Sequence, residues 1–244
     1  MARVKPYATL RYDTRGAVAT VTLDRPEVLN AYNMAMRDDL HAVLAAADAD
    51  PAIRVLVLRG RGPAFSTGGD LREFGSAPSP FIARQVRWQR DVWGQLLRLR
   101  AITLAAVHGL AVGGGMEMAL LCDLCIAAAD ASFALPETGR GMIPGVAGTQ
   151  TLPRRVGVGR ALDLVLTGRR IDAGEAERLG LVVRVVPRQR LEAATRALAQ
   201  RLARVPPRVA SAARRCVRAA HDLPLEDGIA LERRLALGLE GATP

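Results

Sequence analysis

The chain has 244 residues, half of them hydrophobic and 4% aromatic, with 34 Lys plus Arg against 24 Asp plus Glu. That length buries a substantial core, as one large domain or a core with a smaller appendage, and no apolar run is long enough to span a membrane. The net charge of +10 is carried by arginine, Lys5 being the only lysine, but the arginines are dispersed, as at Arg154, Arg155, Arg169, Arg170, Arg214, Arg215, Arg233 and Arg234. Without interleaved aromatics they read as solvated helix faces, which makes a nucleic-acid surface an unfavoured reading. The opening MARVKPYATLRYD carries no signal-like apolar region, so a cytoplasmic protein is expected.

In chain order, residues 17–23 (AVATVTL) and 53–58 (IRVLVL) are predicted strands. Residues 33–48 (NMAMRDDLHAVLAAAD) between them form a predicted amphipathic helix, giving a β-α-β unit. His41 reads as a polar position on that helix. After the second strand, residues 64–70 carry Gly68 and Gly69, a loop that can aim a backbone N–H into a pocket. Residues 70–79 (DLREFGSAPS) are small and polar and read as a mobile segment. Residues 80–100 follow as a helix whose Phe81, Trp88, Trp93, Leu96 and Leu97 pack in the core or line a pocket.

Two carboxylates then stand in apolar surroundings. Strand-like runs at 103–108 and 124–129 flank Gly113, Gly114, Gly115 and the hydrophobic segment MEMALLC, which holds Glu117; Glu137 follows Pro136. The glycines read as a strand-to-helix turn. The first N–H groups of a helix lack internal partners and carry partial positive charge, so such a turn holds a phosphate, a carboxylate or a developing oxyanion. Glu117 alone could simply complement the helix dipole, and Glu137 alone could be a surface carboxylate. Together, buried carboxylates with separately tuned pKa values are a means of running acid and base chemistry near neutral pH. His108, beside the glycine turn, is a less well placed base, and Asp123 reads as a cap. Cys122 and Cys125 form a lone CxxC and read, with Cys216, as buried thiols, so no metal is predicted. From Gly159 onward the chain turns helical, at 160–166, 173–179, 191–203, 209–221 and 224–237.

Five pieces occur in one order over nearly the whole chain: DRPEVLNAYN (24–33), AFSTGGDL (64–71), AAVHGLAVGGGMEMALLCD (105–123), FALPETGRGMIPGVAGTQTLPRRVG (133–157) and LTGRRIDAGEAERLGLVVRVVP (166–187). Together they resemble the crotonase (enoyl-CoA hydratase/isomerase) family. The resemblance implies an α/β fold, a spiral of stacked ββα units over residues 1–188 with the active site. It also implies a C-terminal helical oligomerisation region over 189–244, building a homotrimer or dimer of trimers. The implied substrate is an acyl-CoA thioester, coenzyme A being part of the substrate and no separate cofactor being required; its phosphates would suit the basic balance. By position, Gly69 and Gly114 resemble the two oxyanion N–H donors, Glu117 the base that activates water, and Glu137 the acid that protonates the α-carbon. Arg25, Ala64, Ser66, Gly68, Asp70, Leu71, Gly113, Pro136 and Gly145 fall at substrate- or CoA-binding positions.

Having both glutamates favours a hydratase. The alternatives are a double-bond isomerase, which resembles this pattern at Glu137 but usually lacks the glutamate at 117, a thioester hydrolase or C–C lyase, and a non-catalytic RNA-binding homologue. Two departures from the family pattern stand out. Thr138, Gly139 and Arg140 replace the more usual branched or apolar residues, and the sequence ends at GLEGATP, where family members usually continue into a basic, phenylalanine-containing segment.

Overall fold

The computed structural model describes residues 7–73, 75, 79, 82, 85 and 89–239. Phe81, Trp88 and much of the expected mobile segment and following helix lie outside the described residues.

Strands β1 (Leu10–Arg15) and β2 (Val18–Leu23) form an antiparallel hairpin. Helix α1 (Met34–Ala49) follows, its N-terminus capped by Asn33, whose side chain accepts the Met36 N–H at 2.9 Å. Met36, Leu40, Val43, Leu44 and Ala47 recur at helical spacing and are buried against the sheet. Strand β3 (Val55–Gly60) returns parallel to β2, completing the predicted β-α-β unit. Helix α2 (Val92–Arg98) and strand β4 (Ile102–Val107) come next. Then follow strand β5 (Leu110–Val112), helix α3 (Gly114–Leu121), and strands β6 (Leu124–Ala128) and β7 (Ser132–Ala134). Helices α4 (Gly148–Val156) and α5 (Val158–Thr167), strand β8 (Ile171–Asp172), helix α6 (Ala173–Arg178) and strand β9 (Arg184–Val186) complete the α/β part.

The main sheet has the order β1-β2-β3-β4-β6-β9, parallel except for β1, and the smaller sheet the order β5-β7-β8. Single bridges from Ser66 to Ala111 and from Tyr32 to Gly69 extend the smaller sheet. Successive turns of chain thus repeat one pattern: a long strand in the first sheet, a short stretch in the second, then a helix. This is the expected stacking of ββα turns.

Both faces of the main sheet are covered, so its central strands are mostly apolar, with Arg59 on β3 and Thr103 on β4 as polar positions. On β3, Leu56 and Leu58 join the core under α1, while Val55 and Val57 face the other way. There they meet Leu191 and Ala199 of helix α7 (Leu191–Ala203). The first helix of the C-terminal region is therefore a layer of the sheet core. Helix α8 (Pro207–Ala219) has no buried residue of its own. It is held by Arg214 and Arg218, which reach Asp123 at 3.0 and 2.6 Å, while Asp123 also accepts the Thr103 N–H at 2.8 Å. Helix α9 (Leu225–Leu237) buries only Leu231 among its described residues.

The predicted helices after residue 159 match α5 to α9 within a few residues. Helix α4 was not predicted: Pro153 inside it breaks the pattern a sequence reader relies on, and only Leu152, Val156 and Gly148 are buried. Strands β5, β7, β8 and β9, of two or three residues, are too short for a periodicity to show.

Candidate active site

The site is built from three loops at the carboxyl ends of parallel strands. The first follows β3. Asn30, itself in the left-handed region at φ 55°, donates its side-chain amide to the Ala64 carbonyl at 2.8 Å and to that of Arg61 at 2.9 Å. Ser66 is fully buried; its hydroxyl donates to the Asn30 carbonyl at 2.8 Å and accepts the Gly68 N–H at 3.2 Å, and its own backbone is paired with Leu110 and Val112. Ala64 and Ser66 therefore shape the loop, and the Ser66 side chain has no freedom to meet a ligand. Gly68 sits at φ +82°, where a Cβ would stand 2.8 Å from both the Gly114 nitrogen and the Val112 carbonyl oxygen. Only glycine lets this loop lie against the start of α3.

Tyr32 takes the backbone pairings on either side of Gly69, through the Gly68 carbonyl and the Asp70 N–H. The Gly69 N–H is left without an acceptor among the described residues, and so is that of Gly114 in the first turn of α3. A Cβ built on Gly114 would stand 3.5 Å from Gly68 Cα and 3.8 Å from the Gly69 nitrogen, so the two peptide nitrogens are near neighbours.

Glu137 reaches in from the loop after β7. Gly113 adopts φ +54° and donates to the Ala134 carbonyl; a Cβ on it would lie 2.8 Å from Glu137 Oε1. Glu137 Oε2 is buried with no hydrogen-bond partner among the described residues, a costly arrangement for a carboxylate with no further role. Burial raises the Glu137 pKa, opposed by its own backbone N–H and by the charge of Arg140. Thr138 anchors this turn through its hydroxyl to the Val165 carbonyl at 2.7 Å.

Glu117, 1% exposed, points from α3 toward the loop before α4. Its Oε1 accepts N–H bonds from Val146 at 2.8 Å and Gly148 at 2.7 Å. Ala147 between them is held at φ 78°, uncommon for a residue with a side chain, which lets both flanking N–H groups converge on one oxygen. Burial drives the Glu117 pKa up to about 7; the N–H groups of Gly148, Val146 and Gly145 oppose the rise, and the charge of Glu137 adds to it.

The remaining candidates divide. Asp70 is buried, and its hydrogen bonds from Arg72, joined by one from Arg25 at 3.1 Å, hold its carboxyl well below the usual range. Arg25 is thus neutralised as well as placed. Leu71 is 57% exposed, Gly145 is exposed, and Pro136 packs under Gly168. His108 is excluded from the pair: its Nε2 lies 3.0 Å from the Gly62 carbonyl oxygen, and it lines a cleft on the other face of the sheet. Cys122 and Cys125 are buried thiols with pKa values pushed up by burial, while Cys216 is half-buried. Sequence reasoning missed Asn30, Val146 and Gly148, whose signals lay inside quoted motifs but concern backbone groups and a loop support.

The sequence matches the profile described as enoyl-CoA hydratase/isomerase over residues 13–239. A Rhizobium meliloti relative named "Probable enoyl-CoA hydratase" is 41% identical over 229 residues, covering 94% of this chain and 88% of the relative. The mitochondrial enoyl-CoA hydratase of Pongo abelii is 36% identical, covering 89% of this chain and 74% of its own length. Among solved structures, an enoyl-CoA hydratase from Bacillus anthracis superposes with a TM-score of 0.90 at 33% identity, over 96% of this chain and 92% of that one. A Thermobifida fusca protein in complex with CoA superposes with a TM-score of 0.89 at 34% identity, over 98% and 97%. The spiral of ββα turns is the crotonase fold, and the chain belongs to the enoyl-CoA hydratase/isomerase family.

Proposed function

We propose that this protein is an enoyl-CoA hydratase, adding water reversibly to a trans-2-enoyl-CoA. The observation that carries the reading is the pair of glutamates, Glu117 buried and Glu137 half-buried, both with raised pKa values, beside two neighbouring backbone N–H groups without acceptors among the described residues. The thioester carbonyl oxygen would rest between the N–H groups of Gly69 and Gly114. Glu117, as carboxylate, takes a proton from water as the water oxygen bonds to the β-carbon. The electron pair of the double bond moves toward the thioester, and the charge on its oxygen is stabilised by roughly 3 kcal/mol per donor. Glu137, as the acid, gives its proton to the α-carbon. A proton transferred back from Glu117 to Glu137 through solvent resets the pair, and the reverse sequence is dehydration. Coenzyme A enters as part of the substrate, and the scheme draws on no further cofactor or metal.

The substrate class is supported by the family and by the CoA held by the Thermobifida fusca neighbour. Assembly into a homotrimer or dimer of trimers belongs to the same proposal. It is supported by large apolar side chains left exposed on the late helices, such as Leu225 at 79%, Val217 and Leu237. A cytoplasmic location fits a chain in which no helix of the described residues is long and apolar enough to cross a membrane.

The test is turnover of a short trans-2-enoyl-CoA, followed by loss of its conjugated absorbance, in the parent and in Glu117→Gln and Glu137→Gln. Turnover in the parent and collapse in both variants is the expected result. Retention in Glu117→Gln with loss in Glu137→Gln would replace the hydratase by a double-bond isomerase.

A further inference from the structure

Gly69 is framed by a single bridge rather than a ladder. Tyr32 and Gly69 form an isolated parallel β-bridge, in which the Tyr32 N–H donates to the Gly68 carbonyl at 2.7 Å and the Tyr32 carbonyl accepts the Asp70 N–H at 2.8 Å. Two backbone hydrogen bonds contribute little net stability, so side chains that tie the two segments together decide how firmly the Gly69 N–H is aimed.

The Tyr32 side of the bridge has little regular structure. Residues Pro26–Val28 make one short 3-10 turn, and Leu29 and Asn30 follow with φ of 53° and 55°, a region that residues with side chains seldom occupy. Arg25 closes this segment on itself: its N–H donates to Asn30 Oδ1 at 2.9 Å, and its carbonyl accepts the Asn30 N–H at 2.9 Å. Its guanidinium then spans the bridge. Nη1 donates to the carbonyl of Ala31, one residue before Tyr32, at 2.5 Å, and Nη2 to Oδ2 of Asp70, one residue after Gly69, at 3.1 Å.

The ties made by the Asn30 and Ser66 side chains act further back in the loop, at residues 61, 64, 30 and 68. Arg25 acts at the residues that flank the bridge, and it does so out of water, the Arg25 and Asp70 side chains being 13% and 7% exposed. Arg72 also donates to Asp70, at 2.9 and 2.8 Å, but from the solvent side, and none of its hydrogen bonds reaches residues 25–32.

On the reading of Gly69 as an oxyanion donor, we propose that Arg25 is a positioning residue: its guanidinium, strapped from Ala31 to Asp70, aims the Gly69 N–H at the thioester oxygen without itself touching substrate. The planar fork supplies two directed, charge-assisted bonds from one rigid group. Loosening it lets the N–H swing off line, and a hydrogen bond weakens steeply with angle.

The probe is butyryl-CoA labelled with carbon-13 at the thioester carbonyl, a saturated ligand that hydration cannot consume. Its carbonyl stretch is read by isotope-edited infrared difference spectroscopy on the full chain. Hydrogen bonds to the oxygen lower that stretch, so the parent band is expected below that of free butyryl-CoA in water. In Arg25→Met the band should move back toward the free position. With a short trans-2-enoyl-CoA, kcat should fall about tenfold, a part of what a whole donor is worth, while KM stays within about twofold. Arg25→Lys keeps a charge beside Asp70 but replaces the fork by a point charge. It should shift the band less, in the same direction, and it carries the test should Arg25→Met fold poorly. Arg72→Met should leave the band and kcat at the parent values.

A parent band at the free position would overturn the oxyanion reading of Gly69 and the role of Arg25 with it. A lowered parent band that stays in place in both Arg25 variants would overturn the role of Arg25 alone. An equal shift in Arg72→Met, or a loss confined to KM, would do the same.

Discussion

Gly148 donates its N–H to Glu117 Oε1 at 2.7 Å, and a Cβ placed on that same glycine would stand 2.8 Å from the same oxygen and 3.0 Å from Glu117 Cγ. The residue that fixes the carboxylate is also the one that must be small enough to let it in. Gly148→Ala is therefore expected to push the carboxylate aside and lower kcat for enoyl-CoA hydration by about a hundredfold, the order associated with a misplacement near 1 Å. Circular dichroism should stay that of the parent. Gly159→Ala, with nothing within 4 Å of its Cβ, is the matched control and should leave kcat unchanged.

The raised pKa of Glu117 has two consequences with definite signs. As the base it acts ionised, so kcat/KM should rise with pH through an inflection near about 7. Its proton is bound more tightly in the folded chain than in the unfolded one. The stability it contributes is thus fully present below the unfolded value and lost as pH rises through about 7. Glu117→Gln removes that loss. In urea unfolding the variant should exceed the parent above that pH by up to about 3 kcal/mol, with the difference closing as the medium becomes acidic.

Arg140 is the charge that holds the Glu137 pKa down against burial. Replacing it by leucine should move the alkaline limb of the hydration profile to higher pH, because the acid form of Glu137 then persists further. A pH–rate profile that stays in place in Arg140→Leu would remove Arg140 from the electrostatics of the pair.

The three consecutive glycines have three different requirements, which alanine scanning separates. Gly113 needs its left-handed φ and the room taken by Glu137, and Gly115 presses on the Ser66 backbone, whereas a Cβ on Gly114 meets nothing nearer than 3.5 Å. Alanine at 114 should retain most activity, and alanine at 113 or 115 should not. Proline at 114 keeps the helix, since the first helical position tolerates it, but deletes the donor. Its expected cost is about a hundred- to thousandfold in kcat.

What the sequence made legible were the long periodic elements and the residues whose chemistry shows in their type. The apolar stripe of α1, the strands β2, β3, β4 and β6, and the isolated carboxylates at 117 and 137 stand out because burying a charge or repeating an apolar position leaves a mark on the residue string. The supports of the site leave no such mark. Val146 and Gly148 act through backbone N–H groups, and Ala147 contributes by its φ angle. Ser66 looked like a ligand contact by position and is consumed in holding its loop. His108, near the glycines in sequence, faces the opposite side of the sheet, a separation that follows from strand alternation and register.

The first N–H, at Gly69, comes from the turn of chain after β3; the second, at Gly114, from the turn after β4 and β5; and Glu137 from the turn after β6 and β7. Each group is set by contact with its neighbour in the series: Gly68 against Gly114, and Gly113 against Glu137. During synthesis from the amino end, the N–H donors can come together before the proton donor has left the ribosome. The acid arrives next, and the support for Glu117 at 146 and 148 comes after it. The order of the parts along the gene is thus also the order in which they leave the ribosome, and a nascent chain halted before residue 137 carries Gly69, Gly114 and Glu117 without the acid and without the Val146 and Gly148 N–H groups that hold Glu117.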